Sequence, residues 1–254
     1  MTERGRGSLS RTASTLTIGR STLAWDGSSL LVDIDEVTAP LPSRIRGRVR
    51  LHPAAVTEHG VDLDGRGRHR WWPIAPKAQV ELDLNQPSLR WSGTGYLDTN
   101  SGDEPLEAGF TRWDWSRAPL RQGTAILYDA ERRDGTRLAT ALHCHPSGTV
   151  EEFDPPPEAT LPRTFWRVPR RTRADAGHNP TVALTLEDAP FYARSVLRTH
   201  LLGEPAMAVH ESLSLDRFTN PLVQLMLPFR MPRAWGGDLP RALQIRGCYG
   251  PLRG

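Results

Sequence analysis

Between Arg44 and Leu51 every second residue is an arginine, and the residues between them are Ile45, Gly47, Val49 and Leu51. Side chains on a β-strand point alternately to opposite faces, so this run separates an apolar face from a cationic one only if it is extended. The same period of two recurs where Leu30, Val32 and Ile34 alternate with Leu31, Asp33 and Asp35. It recurs again where Val80, Leu82 and Leu84 alternate with Gln79, Glu81 and Asp83. No segment holds a 3.6-residue period over three turns. Gly and Pro, 22 of each, punctuate the chain at short intervals, which suits many short strands. Asp134-Gly135, between Ala125–Asp129 and Arg137–His143, reads as a hairpin turn. The expected class is all-β, an antiparallel barrel or sandwich.

The 254 residues suffice for one large β domain or two small ones. Glu151-Glu152-Phe153-Asp154-Pro155-Pro156-Pro157 is acidic and then proline-rich, so it does not continue a central strand. The expected organisation is a first β unit over 1–150 carrying the active site, a second over 151–235, and a loose tail over 236–254.

Composition excludes several classes. With 38% hydrophobic and 24% charged residues the chain reads as globular and soluble. No stretch approaches the roughly 20 apolar residues a membrane helix needs; the longest, Leu222 to Phe229, is broken by Gln224 and Pro228. Met1-Thr2-Glu3-Arg4-Gly5-Arg6-Gly7 is polar with no apolar segment after it, so no signal peptide is read and a cytoplasmic protein is expected. Two cysteines, Cys144 and Cys248, are consistent with a reducing compartment. The net charge of +3 is almost all arginine, with Lys77 the one lysine. The arginines are scattered and no nucleic-acid-binding signature is present, so no nucleic-acid partner is expected; loose contact with an anionic membrane face is. His143-Cys144-His145 resembles a metal cluster, but on a strand the two histidines face one side and Cys144 the other, and no metal is expected.

The chemistry concentrates in residues 69 to 117, which hold Trp71, Trp72, Trp91, Trp113 and Trp115. His69 and Trp71 are two apart, as are Tyr96 and Asp98, so each pair shares a strand face. If both strands line one cavity, an imidazole, an indole, a phenol and a carboxyl converge, and Gly93 and Gly95 permit a bulge or close backbone approach beside them. Adding water to a trisubstituted alkene requires a proton delivered to carbon and capture of the tertiary cation by water. A carboxylic acid buried among aromatics can donate that proton, and aromatic faces stabilise the cation by about 2 kcal/mol when desolvated. His69 would orient the water or accept its proton. No GxGxxG, P-loop or HExxH is present, and this chemistry needs no metal or nucleotide. The same residues also fit core packing of the tryptophans and a turn at Asp98-Thr99-Asn100-Ser101-Gly102, and pattern alone leaves both readings open.

The stretch Trp91-Ser-Gly-Thr-Gly-Tyr-Leu-Asp-Thr-Asn-Ser-Gly-Asp-Glu-Pro-Leu-Glu-Ala-Gly-Phe-Thr-Arg-Trp-Asp-Trp-Ser-Arg117 resembles the signature of the acyclic carotenoid 1,2-hydratases, also called hydroxyneurosporene synthases. Further matching runs are Thr185–Arg194, Val209–Phe218 and Leu227–Arg233, and the similarity extends from near Met1 to about Trp235. The resemblance implies a lipocalin-like β architecture and hydration of the terminal 1,2 double bond of lycopene- or neurosporene-type carotenoids without a cofactor. It implies an apolar C40 substrate and water as partners, with peripheral contact at the inner or photosynthetic membrane. The family's His-x-Trp and Tyr-x-Asp are met by His69, Trp71, Tyr96 and Asp98, which makes Asp98 the proton donor and the other three its support. Family members are generally longer at the N-terminus, and Met1–Gly7 resembles an internal segment of them. Related readings are a polyene cyclase on the same fold, or a non-catalytic carotenoid carrier; a tryptophan-lined sugar-binding sandwich is a more distant one.

Two later motifs remain. His210 and Glu211 are adjacent, so on a strand they face opposite sides, and both read as structural. Leu227-Pro-Phe-Arg-Met-Pro-Arg233 reads as an edge or mouth segment, because its prolines bar a central strand.

Overall fold

The arginine ladder is a strand. In the computed structural model, which describes residues 2–3, 5–38, 41–227 and 231–232, Arg46, Arg48 and Arg50 are exposed while Gly47, Val49 and Leu51 turn inward. The strands in chain order are β1 (Thr2–Glu3), β2 (Leu9–Arg11), β3 (Thr15–Ile18), β4 (Ser21–Trp25), β5 (Leu30–Val37), β6 (Arg44–Pro53), β7 (Val61–Asp62), β8 (His69–Gln86) and β9 (Ser88–Gly102). Then come β10 (Phe110–Leu120), β11 (Gly123–Arg132), β12 (Arg137–Cys144), β13 (Val150–Glu152), β14 (Glu158–Leu161), β15 (Arg170–Arg173), β16 (Thr181–Asp188), β17 (Tyr192–Leu201), β18 (Glu204–Ser214) and β19 (Met231–Pro232). Three short α-helices, α1 (Leu106–Gly109), α2 (Leu215–Phe218) and α3 (Pro221–Met226), and a single 3-10 turn at Arg6–Ser8 complete the described elements. The fold is all-β, as expected.

Contacts divide the chain into two units, neither of them continuous in sequence. The first comprises residues 1–52, 80–93 and 227–254, the second 53–79 and 94–226. In the first unit β2, β3, β4, β5 and β6 pair in order as an antiparallel meander, with the 80–86 part of β8 beside β6. That closeness requires Gly47: its φ is +150°, and a Cβ there would collide with the Asp83 carbonyl oxygen and Leu84 Cα. β1 and β19 form a separate parallel pair.

The second unit is built on a seven-stranded sheet in the order β13-β12-β11-β10-β18-β17-β16. β10 pairs antiparallel with β18, so strands from both sides of Glu151–Pro157 share one sheet, and residue 150, the expected boundary, falls inside this unit. The reason is that β10 reaches its hydrogen-bond partner across about a hundred residues rather than beside it in sequence, a pairing that local composition does not encode. The Asp134-Gly135 hairpin joins β11 to β12, with Gly135 at φ +84° and Thr136 N–H donating to Asp134 Oδ1. The core here gathers Leu63, Trp71, Phe110, Trp115, Ile126, Tyr128, Leu142 and Leu215. Burying each such side chain contributes roughly 1.5–3 kcal/mol. The region expected as a tail, 236–254, and most of Leu227–Arg233 lie outside the described residues.

Candidate active site

The second unit contains all four residues singled out from sequence. The 69–79 part of β8 and the 94–102 part of β9 lie over one face of the seven-stranded sheet: Trp71 packs on Tyr128 with ring centroids 5.1 Å apart, and Tyr96 on Trp115 at 5.0 Å. β9 continues through Gly102, so Asp98 is a strand residue and not the start of a turn. Period two puts Tyr96 and Asp98 on the inner face, and His69 and Trp71 are both buried on the inner face of β8.

Three of the four meet. Trp71 donates its indole N–H to Asp98 Oδ2 at 2.9 Å, and Tyr96 donates its hydroxyl to the same oxygen at 3.1 Å. Tyr96 is held as a donor: burial first, then the charge of Asp98 and the hydrogen bond to it, push the phenol well above its ordinary pKa. The buried Arg117 guanidinium stacks over the Tyr96 ring at 5.6 Å and donates to the Pro76 carbonyl, fixing that ring from behind.

His69 is placed differently. Its Nε2 lies 3.3 Å from Glu104 Oε1, and its ring sits edge-on to Phe110 at 5.0 Å. Glu104 also accepts from Arg68 at 3.0 Å. Among the described residues no hydrogen bond joins His69 to Asp98. Two glycines make room for the imidazole: a Cβ on Gly102 would lie 3.0 Å from Nδ1, and one on Gly109 would lie 2.8 Å from Nε2.

These groups border a cavity of about 530 Å³, lined among others by His69, Tyr96, Asp98, Glu104, Trp113, Trp115, Tyr128, Arg194 and Glu211. The volume is within the range of small-molecule sites. Trp71 is fully buried and is not one of the lining residues; it reaches the site through its N–H, while Tyr96, Trp113, Trp115 and Tyr128 supply the aromatic walls.

The opposite wall is one row of register partners. Tyr128 on β11 pairs with Trp115 on β10, Trp115 with Glu211 on β18, and Glu211 with Arg194 on β17. Register partners in adjacent strands project to the same face, so these four side chains line the cavity together. Arg194 donates to Glu211 Oε1 at 2.9 Å. The Tyr128 phenol is pushed above its ordinary pKa by burial and then by the charges of Asp98 and Glu211. His210 and Glu211 do face opposite sides: His210 is buried behind the sheet beside Ser212 Oγ at 3.1 Å, while Glu211 faces the cavity. Sequence reasoning left Glu104, Tyr128, Arg194 and Glu211 out of the site. Glu104 had a local signal, its place just past the Tyr-x-Asp strand; the other three become visible only through sheet register.

Chemically the site offers a carboxyl gripped at one oxygen by two neutral donors, a wall of four aromatic rings, and a histidine fixed by a carboxylate. Among the described residues the His/Cys/Asp/Glu group with metal-ligand spacing lies elsewhere, at His143, His145 and Glu151.

Residues 1–239 match the family model described as carotenoid hydratase CrtC. The chain is 58% identical over 237 residues to the acyclic carotenoid 1,2-hydratase of Thiocapsa roseopersicina, covering 93% of this chain and 58% of that protein. It is 49% identical over 235 residues to the acyclic carotenoid 1,2-hydratase of Rubrivivax gelatinosus, covering 92% of this chain and again 58% of the relative. The chain therefore spans somewhat over half the length of these two relatives. Among solved structures, an AttH-type protein of Nitrosomonas europaea superposes with a TM-score of 0.53 at 16% identity, over 83% of this chain and 72% of that one, a likeness of fold that agrees with a lipocalin-like architecture. With nearly its whole length matched, the chain belongs to the carotenoid hydratase CrtC family.

Proposed function

We propose that this protein adds water across the terminal 1,2 double bond of an acyclic carotenoid of the lycopene or neurosporene type, with Asp98 as the proton donor. The observation that supports this most is the gripping of one Asp98 oxygen, Oδ2, by the Trp71 N–H and the Tyr96 O–H. Both partners are donors, so Oδ2 serves as acceptor to each, and the acidic proton belongs on Oδ1. Asp98 lines the cavity, and a proton on Oδ1 is free of both grips.

The reaction then runs in two steps. Asp98 Oδ1–H gives its proton to C2 of the terminal alkene, the π pair forms the new C–H bond, and a tertiary cation remains at C1. A water oxygen bonds to C1 and loses a proton, giving the tertiary alcohol; that proton restores Asp98 over the cycle, so one water is consumed. When Asp98 becomes a carboxylate, its two charge-assisted hydrogen bonds strengthen. The rings of Tyr96, Trp113, Trp115 and Tyr128 border the space where the cation develops and stabilise it through their faces. His69, held by Glu104, orients the attacking water or takes its proton. Only the end of a long polyene has to enter such a cavity, which fits reaction at a terminal bond.

The substrate is dissolved in a bilayer, so the protein works at its surface as a peripheral protein. No helix among the described residues is long and apolar enough to cross a membrane.

The test is expression of this chain in cells that accumulate lycopene or neurosporene, followed by chromatography and mass spectrometry of the pigments. A product heavier by one water supports the proposal. Unchanged pigment from a demonstrably folded protein, or a cyclised isomer of unchanged mass, overturns it in favour of a carrier or a cyclase.

A further inference from the structure

Away from the cavity, at the edge of the seven-stranded sheet, β12 ends in His143-Cys144, His145 follows it directly, and β13 brings Glu151 opposite His143 in register. One ligand atom from each of His143, His145 and Glu151 lies within 4.8 Å of the other two. The two imidazoles stand 4.2 Å apart, centroid to centroid, on the strand face away from the buried Cys144.

Two details of the hydrogen bonding point to a cation. His143 Nε2 lies 3.0 Å from the Gln122 carbonyl oxygen, which can only accept. Nε2 therefore carries the hydrogen, and Nδ1 is left with its lone pair. A histidine whose second ring N–H is tied to a backbone carbonyl is the usual outer-shell arrangement of a metal ligand. His145 Nε2 is buried and makes no hydrogen bond, yet it stands 3.2 Å from Glu151 Oε2. An N–H at that position does not meet hydrogen-bond geometry with the carboxylate, so a protonated ring would be held by charge alone, and a lone pair there would face the lone pairs of an anion. A cation shared by the two atoms removes the conflict. The 3.2 Å between these two atoms matches the spacing of about 3.3 Å between ligands bound at roughly 2.0–2.2 Å to a tetrahedral zinc, and the His143 ligand atom lies within 4.8 Å of both.

We propose that His143, His145 and Glu151 form a binding site for a borderline-soft divalent cation of the Zn²⁺ type, with water as the fourth ligand. Two imidazoles and one carboxylate suit zinc and its neighbours and disfavour Mg²⁺ or Ca²⁺, which prefer all-oxygen shells. Such an ion fastens the short β13 to β12 at the sheet edge. None of the three residues borders the cavity of Asp98, so the site stands independently of the proposed hydration.

The experiment uses untagged, chelator-stripped protein titrated with Zn²⁺ against a chromogenic chelator, and with Co²⁺ for its visible absorption. The expected result is one equivalent bound with a Kd of about 10 µM or tighter, a tetrahedral Co²⁺ spectrum, and a Tm increase of roughly 5 °C at saturating Zn²⁺. The double variant His143→Ala/His145→Ala loses that equivalent. Glu151→Gln, at an exposed position where folding is not at issue, weakens binding about tenfold or more. Absence of binding by the wild type, or binding and Tm shift unchanged in Glu151→Gln and in the double variant, overturns the proposal.

Discussion

Trp71 and Asp98 are joined by a hydrogen bond of 2.9 Å from the indole N–H to Oδ2, and the indole that makes it is fully buried. A buried donor this fixed orients the carboxyl and leaves the other oxygen to act. In Asp98→Asn the amide oxygen can still accept from Trp71 and Tyr96, but the side chain has no acidic proton to give. Turnover is expected to fall by about 10²–10⁴-fold, the usual worth of a general acid, with Tm close to wild type. Hydroxylated product quantified by chromatography against a circular-dichroism melt measures both; retained turnover removes Asp98 as the acid.

The two donors to Oδ2 are separable. Tyr96→Phe deletes only a hydroxyl and keeps the ring against Trp115. Trp71→Phe deletes the N–H but also leaves a void against Tyr128. A hydrogen bond to a charged acceptor contributes about 1.5–3 kcal/mol, so each change should lower kcat/KM roughly ten- to a hundredfold. Stability should drop in Trp71→Phe and hardly at all in Tyr96→Phe. Equal activity losses with unequal Tm losses would identify the Oδ2 grip, and not packing, as the shared cause.

What the sequence made legible and what it hid follow one rule. Relations of period two within a strand were readable: Tyr96 with Asp98, His69 with Trp71, the outward Arg46, Arg48 and Arg50, and the opposed His210 and Glu211. The local turn at Asp134-Gly135 was readable because its backbone demands those residues. Relations between strands distant in sequence were not. The row Tyr128–Trp115–Glu211–Arg194 exists only because β10 pairs with both β11 and β18. The same pairing carries the second unit across residue 150, where proline-rich composition had placed a boundary. Trp71 stands beside Asp98 as its expected support, and what the sequence left unread is that it acts from outside the cavity through its N–H, because strand periodicity gives a side chain's face but not its depth.

Glu211 tests that row directly. It was read as a structural residue, whereas it borders the cavity with Arg194 as its partner. Glu211→Gln keeps the shape and removes a negative charge facing the cavity in which the proposed reaction would develop its cation. Turnover should fall about tenfold or more, by loss of electrostatic stabilisation, while KM and Tm change little. A large Tm loss at unchanged kcat would return Glu211 to a structural role.

Gly109 should not tolerate a side chain. A Cβ there would stand 2.8 Å from His69 Nε2, and the ring has little space to retreat because it already meets Phe110 and the Gly102 backbone. Gly109→Ala is expected to swing the imidazole off Glu104 and to lower kcat by about tenfold or more, with the fold retained. Gly60→Ala, where a Cβ meets open space, is the matched control and should leave activity unchanged. Equal behaviour of the two variants would mean that the position of His69 does not matter to turnover.

The last prediction concerns pH and leaves the cavity. His210 is buried, and burial first, then the positive charges of Arg170 and Arg112, lower its pKa from 6.5 to about 3. Its imidazole is therefore neutral in the folded protein across the range in which it gains a proton once unfolded. The unfolded state binds more protons between those two values, so stability rises with pH through that window. The favourable contribution is complete above pH 6.5 and is lost as pH falls toward about 3. The expected slope from this one residue approaches about 1.4 kcal/mol per pH unit below pH 6 and amounts to roughly 2 kcal/mol between pH 7 and 5. Urea unfolding at pH 7, 6 and 5 measures it. His210→Gln, which titrates in neither state, should show a slope shallower by that amount, whatever its stability at pH 7. Parallel slopes for the two proteins would mean that His210 takes up its proton without unfolding the sheet behind the candidate site.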